Sequence, residues 1–455
     1  MKHTLYLHII RLVLLMSFSS QFISCKKYLE EKPDNSLVVP TTIEDFQSLL
    51  DDAANMNRTT PSLLESSADD YFLANTEYAS RPTREQHVYT WLPNDDYYFA
   101  NDWSHGYRSV YNANLSIEGL NKINRTDHNA LSWNNVMGSA LFFRAYHFLN
   151  LAWTYAKAYN PATENTDLGI VIRDNADFNT LSVRSSVKAT YSRIMEDAKL
   201  AASYLPEQPQ HVMRPSKSGA FALLARAYLS INQYDSAYRY ADLCLSIQND
   251  LLDYNTVSVN SSVPFSPFNK EVIFYTQMNG TVALHAPVRA NIDTTLFDSY
   301  TDNDLRKKTF FLQNPSGYRR FKGSYAASAN NLFSGLATDE VLLIRAECKI
   351  RLNDVAGGID DLNTLLRSRW LTGTFNDIQA GTQEEALNIL LIERRKELVM
   401  RGIRWSDIKR VNILSASFIL KRNINGELFE LPPNDKRYAL LLPRDVIQNS
   451  GIIQN

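Results

Sequence analysis

Residues 218–251 read SGAFALLARAYLSINQYDSAYRYADLCLSIQNDL, and this stretch decides the fold. Ala220, Leu223, Leu224, Ala227, Tyr228 and Ile231 recur at i, i+3, i+4 spacing, the stripe of an amphipathic helix. Asn232-Gln233 then supplies a turn. Leu224, Tyr228, Tyr234 and Ala237 fall where a 34-residue tetratricopeptide unit wants a Leu, a Tyr, a turn-side Tyr and a small residue. The small Ala237 lets two helices approach closely. One such hairpin cannot bury its own apolar face, so neighbours of the same kind are expected.

Two neighbours are visible. At an offset of 119 residues, Arg226-Ala227 meets Arg345-Ala346, Ala237 meets Ala356, Asp242 meets Asp361 and Leu243 meets Leu362. Residues 337–370 form a looser unit through Leu343, Ala346 and Ala356, with Gly357-Gly358 extending the close contact. Phe143-Arg144-Ala145-Tyr146 carries the same Arg-Ala-Tyr core, which makes 103–158 a third helical hairpin. The expected fold is therefore mainly α: a tetratricopeptide-like spine, long loop-rich insertions and a few short strands. The insertions are 60–102, marked by Pro61, Pro82 and Pro93, and 252–335, with a strand-like Val272-Ile273-Phe274-Tyr275. Loops of that length are usually functional or disordered. Their aromatic content argues against disorder.

The N-terminus says where the chain works. Lys2 and Arg11 precede an apolar run, Leu12 to Ser24, which is too short to cross a bilayer. It reads as a signal peptide, residues 1–24. Cys25 follows directly after a small residue, the arrangement of a bacterial lipoprotein whose thiol is acylated, although Phe22 stands where such boxes usually carry Leu. Several acyl chains anchor a protein stably where one would not. Residues 25–40 then read as a tether, and 25–455 as one domain. Net charge is −2 over 455 residues, so no strong field favours nucleic acid. With 3 Cys in all, the chain is no disulfide scaffold; Cys244 and Cys348 read as buried thiols, with a bridge between them left open.

Glu393-Arg394-Arg395-Lys396-Glu397-Leu398 and Gly402-Ile403-Arg404-Trp405-Ser406-Asp407-Ile408-Lys409-Arg410 pack acids among arginines. Thr382 with Glu385 is a capping-box pattern that starts this helix, and Gly402 is placed to end it. The charges read as an ion-pair network between two helices rather than as an acid and base with separated pKa values. No metal site is expected: the 8 His are scattered, and Asp302-Asn303-Asp304 lacks the Gly and distant Glu of a calcium loop.

The aromatic loops are the binding candidates. Trp91, Asn94, Asp95, Asp96, Tyr97 and Tyr98 lie in one polar, Pro-marked stretch. Tyr300, Phe310, Tyr318, Arg319, Arg320 and Tyr325 could form a facing wall. Sugar rings stack C–H faces on aromatic planes, while Asn, Asp and Arg bind the hydroxyls. Such a site needs rings exposed on rigid loops, so Trp91→Ala is expected to weaken binding and spare the fold.

These motifs, taken in order, resemble the SusD/RagB family of outer-membrane nutrient-binding lipoproteins from Bacteroidetes. The resemblance rests on Asp69-Asp70-Tyr71, on Trp103, Tyr107, Tyr111 and Asn114, and on Ala140 to Tyr146. It continues with Tyr191 to Asp197 followed by Leu205-Pro206, the 393–410 block within a C-terminal motif 383–455, Leu442-Pro443 and Gln454-Asn455. Arg401 departs from the Glu usual before the Gly. The resemblance implies a non-catalytic surface protein without cofactors, lipid-anchored in the outer membrane. It would capture an oligosaccharide and pass it to a SusC-like TonB-dependent transporter, with ligand contacts in the two loop regions. A RagB-like peptide carrier is the alternative. A surface glycosidase would need two carboxylates across the scissile bond, and Glu77, Asp95 and Asp96 are the loop acids available.

Overall fold

Ten helices of eight or more residues carry the chain in a computed structural model, which describes residues 39–455. They are α1 Ile43–Leu50, α2 Asp102–Leu120, α3 Ala130–Tyr155, α4 Val187–Tyr204, α5 Lys217–Ser230, α6 Tyr234–Ile247, α7 Thr338–Arg351, α8 Val355–Arg367, α9 Gln383–Glu397 and α10 Arg404–Ser415. The expected signal peptide, Cys25 and nearly all of the expected tether lie outside the described residues. From α2 to α8 each helix packs on the next, and α7 also packs on α9. The fold is a mainly helical tetratricopeptide-like spine with short strands in its insertions, between α3 and α4 and after α10.

Local sequence explains the hairpins. Ser216 Oγ accepts the Gly219 N–H at 3.0 Å and caps α5. Asn232 takes φ 59° between α5 and α6, and Asn353 takes φ 71° between α7 and α8. Asn tolerates this left-handed region because its short amide bonds locally. Ala237, Ala241 and Cys244 are fully buried on the inner face of α6. Cys244 and Cys348 are both free thiols, and burial pushes both up.

The repeated arginines have one job. Arg144 of α3 grips Asp197 of α4 through Nε and Nη2, both at 2.7 Å. Arg226 of α5 grips Glu340 of α7, with Nε at 2.8 Å. Arg345 of α7 grips Asp361 of α8 at 2.9 and 2.8 Å. Each is a bidentate fork, a geometry that fixes orientation as well as attraction. The Arg-Ala pattern thus marks where one helix is pinned to another.

The insertions are joined to each other and to the spine. Tyr71–Phe72 pairs antiparallel with Asn291–Ile292, linking the first insertion to the second. Val272–Phe274 pairs with Leu336–Ala337 at the entry to α7. Gly335 is required there: an added Cβ would sit 2.1 Å from the Phe274 carbonyl oxygen.

The 393–410 block is the charge network its sequence suggests. Arg306, fully buried, holds Asp304 at 2.8 Å, Glu393 at 2.6 Å and Glu397 at 3.0 Å. Arg369, equally buried, bridges Glu397 at 2.7 Å and Glu271 at 2.9 Å. Arg410 joins Asp407 at 2.8 Å to Glu347 at 2.7 Å. Arg401 pairs with Asp339 at 3.0 Å and lies over Phe333 and Tyr325. Two details differ from the sequence reading. Thr382 Oγ1 accepts the Glu385 N–H, but the Glu385 carboxylate takes the Gly381 N–H at 2.8 Å, one residue earlier than a capping box requires. And α9 ends at Glu397, so Gly402 at φ 73° serves the turn into α10 together with Met400 at φ 61°.

That turn meets a buried acid. Glu65 Oε2 accepts the Gly402 N–H at 2.9 Å, while Oε1 has no partner. Burial first, then the nearby Asp70, raises this carboxyl from 4.5 to about 8. A folded-state pKa above the unfolded one means the folded chain holds the proton longer, so stability falls as pH rises between those values. The slope is at most about 1.4 kcal/mol per pH unit. Glu65→Gln keeps an acceptor for Gly402 and cannot ionise. Melting temperatures from pH 5 to 8 should fall less steeply in this variant than in the parent; parallel curves would contradict the assignment.

Candidate functional site

Two short helices, Asn75–Ala79 and Thr83–Tyr89, set up the first insertion. Pro82 separates them at φ −57°. Gln86 Nε2 locks the corner by donating to the Tyr78 and Arg81 carbonyls at 3.1 and 2.9 Å. This corner presents Arg84, whose guanidinium lies 4.4 Å from the centre of the Tyr98 ring and 3.3 Å from Asp96. Beside it, Glu77 takes Arg81 at 3.1 Å and Arg289 of the second insertion at 3.4 Å. Phe99, next to Tyr98, is 80% exposed.

The loop that carries Tyr98 and Phe99 is held at both ends. Upstream, Asp95 receives Arg444 at 2.8 Å, and the Arg444 N–H donates to the Asp95 carbonyl at 2.8 Å. This pairing lowers the Asp95 carboxyl. Asn94 Nδ2 donates to the Asp96 carbonyl at 3.2 Å. Downstream, Asn101 and Ser104 form a reciprocal capping box that starts α2. Asp102 then accepts the Leu63 N–H at 2.8 Å and the Asn279 amide at 2.7 Å; burial raises its carboxyl to about 6. Thr281 reaches the Ala100 carbonyl at 3.3 Å. The result is a fixed platform: one ring under a guanidinium, one ring outward, and carboxylates and arginines at the rim.

The sequence candidates divide. Tyr98 is part of the platform. Trp91, Asn94 and Tyr97 line a separate cavity of 340 Å³, with Arg437 and the chain's last residues on its far side. Trp91 itself is core, contrary to expectation: it is 3% exposed, and its Nε1 donates to the Ser67 carbonyl at 3.0 Å. Its backbone takes a positive φ of 56°. In the core it walls a box with Tyr71 and Tyr89 around the Arg422 guanidinium, which lies 5.3, 5.2 and 4.3 Å from the three ring centres. Tyr300 and Tyr325 are also core rather than wall. Tyr300 donates to the Lys396 carbonyl at 2.7 Å, and Tyr325 to Glu271 at 2.6 Å. The buried charge network drew both rings in. Tyr318 is exposed, edge-on to Phe72 at 5.0 Å. Arg319 lies 4.8 Å over Phe297. None of the second set lines the 340 Å³ cavity. Arg84, Arg289 and Phe99 escaped the sequence reading, because nothing local marks an arginine that will meet a ring fourteen residues on.

The comparisons with known proteins agree with this architecture. Residues 27–229 match a family described as starch-binding and associating with the outer membrane, SusD-like, and residues 336–439 match the SusD family. The chain belongs to the SusD family. SusD-like protein P2 of Formosa agariphila is 23% identical over 421 residues, covering 78% of this chain and 79% of that one. A Bacteroides vulgatus structure described as a candidate sugar-binding protein superposes with a TM-score of 0.77 at 19% identity, over 92% of this chain and 99% of the other. A SusD superfamily structure from Bacteroides thetaiotaomicron gives 0.76 at 20% identity, over 91% and 99%.

Proposed function

We propose that this protein is a surface lipoprotein, anchored at Cys25 in the outer membrane, that captures an oligosaccharide without cleaving it. It would then deliver the sugar to a SusC-like TonB-dependent transporter. The observation that carries this reading is the Tyr98–Phe99 platform with Arg84 and Asp96 against it, on a corner whose other helix carries the Glu77–Arg289 pair. The exposed Phe99 ring offers a stacking face beside the half-buried Tyr98, and charged groups already held in pairs offer donors and acceptors without reorganisation. Asp95 stays with Arg444 and shapes the loop rather than the ligand. The family descriptions, starch-binding and associating with the outer membrane, and the name given to the Bacteroides vulgatus relative support the sugar class and the location.

The test is calorimetric titration of the mature chain against plant, host and microbial oligosaccharides and a set of short peptides. Saturable binding of one sugar class, with the sugar recovered uncut, is the expected result. Tyr98→Ala and Phe99→Ala should each weaken it by about tenfold or more, the equivalent of about 1.4 kcal/mol. Both should leave the melting temperature unchanged, since surface substitutions cost about 0.5 kcal/mol or less. Binding confined to peptides would replace the sugar reading with a peptide-uptake role, and a shortened product would make the chain an enzyme.

A further inference from the structure

A second polar pocket, of 300 Å³, opens on a different set of elements: the loop after α3, α10 and the turn 434–438. Three lysines line it, Lys157, Lys409 and Lys436, against two acids, Asp167 and Asp435. Both acids are already engaged. Asp167 receives Lys157 at 2.7 Å and the Thr163 hydroxyl at 2.5 Å. Asp435 receives Arg437 at 2.9 Å. Lys409 and Lys436 have no carboxylate partner among the described residues, so the pocket carries surplus positive charge when Lys409 is protonated; burial lowers that ammonium to about 7, and a bound carboxylate would favour its charged form.

Lys409 is the unusual member. It is 5% exposed, and its Nζ donates to the Trp153 and Ala156 carbonyls at 2.8 and 2.6 Å. An ammonium has three donors, and these two carbonyls use two of them. Tyr438 adds a second unused group. It is 3% exposed, and its hydroxyl has no partner at full hydrogen-bond geometry; the neighbouring Asn412 amide gives one of its two N–H groups to the Phe418 carbonyl at 3.0 Å and turns only the other toward this hydroxyl. A buried polar group left unpaired costs about 1–3 kcal/mol, so an unused hydroxyl in a pocket wall calls for an explanation. Asn160 and Asn434 also line the pocket. Asn160 spends its Oδ1 on the Ala162 N–H and Asn434 its Nδ2 on the Asn412 carbonyl, which leaves the other half of each amide unspent.

We propose that this pocket binds a single sugar acid, its carboxylate drawn to Lys409 and Lys436 and its hydroxyls to Tyr438, Asn160 and Asn434. The volume stands at the small end of the roughly 300–1,000 Å³ range of ligand pockets, which suits one ring rather than a chain. Charge selects the acid over the neutral sugar, and the amides and hydroxyl select a polyol over a bare anion. This pocket shares no lining residue with the platform around Tyr98, so the two readings stand or fall separately.

Glucuronate, glucose and inorganic phosphate are the probes, each titrated into the mature chain by ligand-observed NMR at neutral pH. Glucuronate should bind, glucose and phosphate at least about tenfold more weakly. Lys436→Glu, on the exposed rim, should weaken glucuronate by about tenfold or more without moving the melting temperature. Tyr438→Phe removes only the unpaired hydroxyl and should weaken glucuronate while the fold holds. Tyr98→Ala should leave glucuronate unaffected. Phosphate bound as tightly as glucuronate, glucose bound equally well, no glucuronate binding below about 10 mM, or indifference to Lys436→Glu would each overturn the proposal.

Discussion

Arg306→Ala should unfold the protein or bring it close to unfolding. Arg306 is fully buried and is the common partner of Asp304, Glu393 and Glu397. Its removal leaves carboxylates in the interior with fewer cations than they need. Breaking a buried ion pair from one side costs about 3–5 kcal/mol, and here one cation serves three acids. Domains are stable by only about 5–15 kcal/mol, so the loss takes a large share of the total. Part of the charge is rescued by Lys396, which reaches Asp304 at 3.1 Å and Glu393 at 2.8 Å. Chemical denaturation followed by circular dichroism is the check. An Arg306→Ala chain as stable as its parent would mean that the carboxylates are reached by water or protonated, and that the network holds nothing together.

Trp91→Ala should be the second most damaging change, and its effect should fall on stability. Truncating a buried Trp costs about 3–5 kcal/mol through lost transfer energy and the cavity left behind. The change also strips the Ser67 carbonyl of its donor and opens one wall of the box around Arg422. Arg422 then keeps Tyr71 and Tyr89 but loses the ring that shields it from the 340 Å³ cavity. A melting temperature lowered by several degrees, with oligosaccharide affinity retained in the folded fraction, is the expected pair of results. A variant that melts normally and binds weakly would put Trp91 in the site after all.

The spine was legible because its signals are local. Leu224, Tyr228 and Ala237 lie within one hairpin, and the helical period that spaces them is the period that buries them. The shared Arg-Ala pairs pointed to equivalent positions, although their carboxylate partners are visible only in three dimensions. The aromatic loops were the reverse case. Trp91 and Tyr98 stand seven residues apart in one polar stretch with similar neighbours, yet one is core and the other faces a guanidinium. Arg422, far along the chain, draws Trp91 inward; Arg84, on a helix of its own, meets Tyr98. Tyr300 and Tyr325 were likewise claimed by Lys396 and Glu271. Composition shows that rings are present in these loops. Which of them reach the surface depends on cations supplied from elsewhere in the fold.

The box around Arg422 also bears on the order in which the molecule can be completed. Arg422 donates to the carbonyls of Tyr71 and Ala68, which precede it by 351 and 354 residues. Contacts of such long sequence separation must overcome loop-closure entropy before they repay it, and they form late. The spine helices, whose pairings are mostly between successive elements, can assemble as the chain emerges. The segment from Ala68 to Trp91 cannot settle until the hairpin Leu420–Leu431 arrives. During synthesis, the first insertion is therefore among the earliest parts to be made and among the last to become a surface.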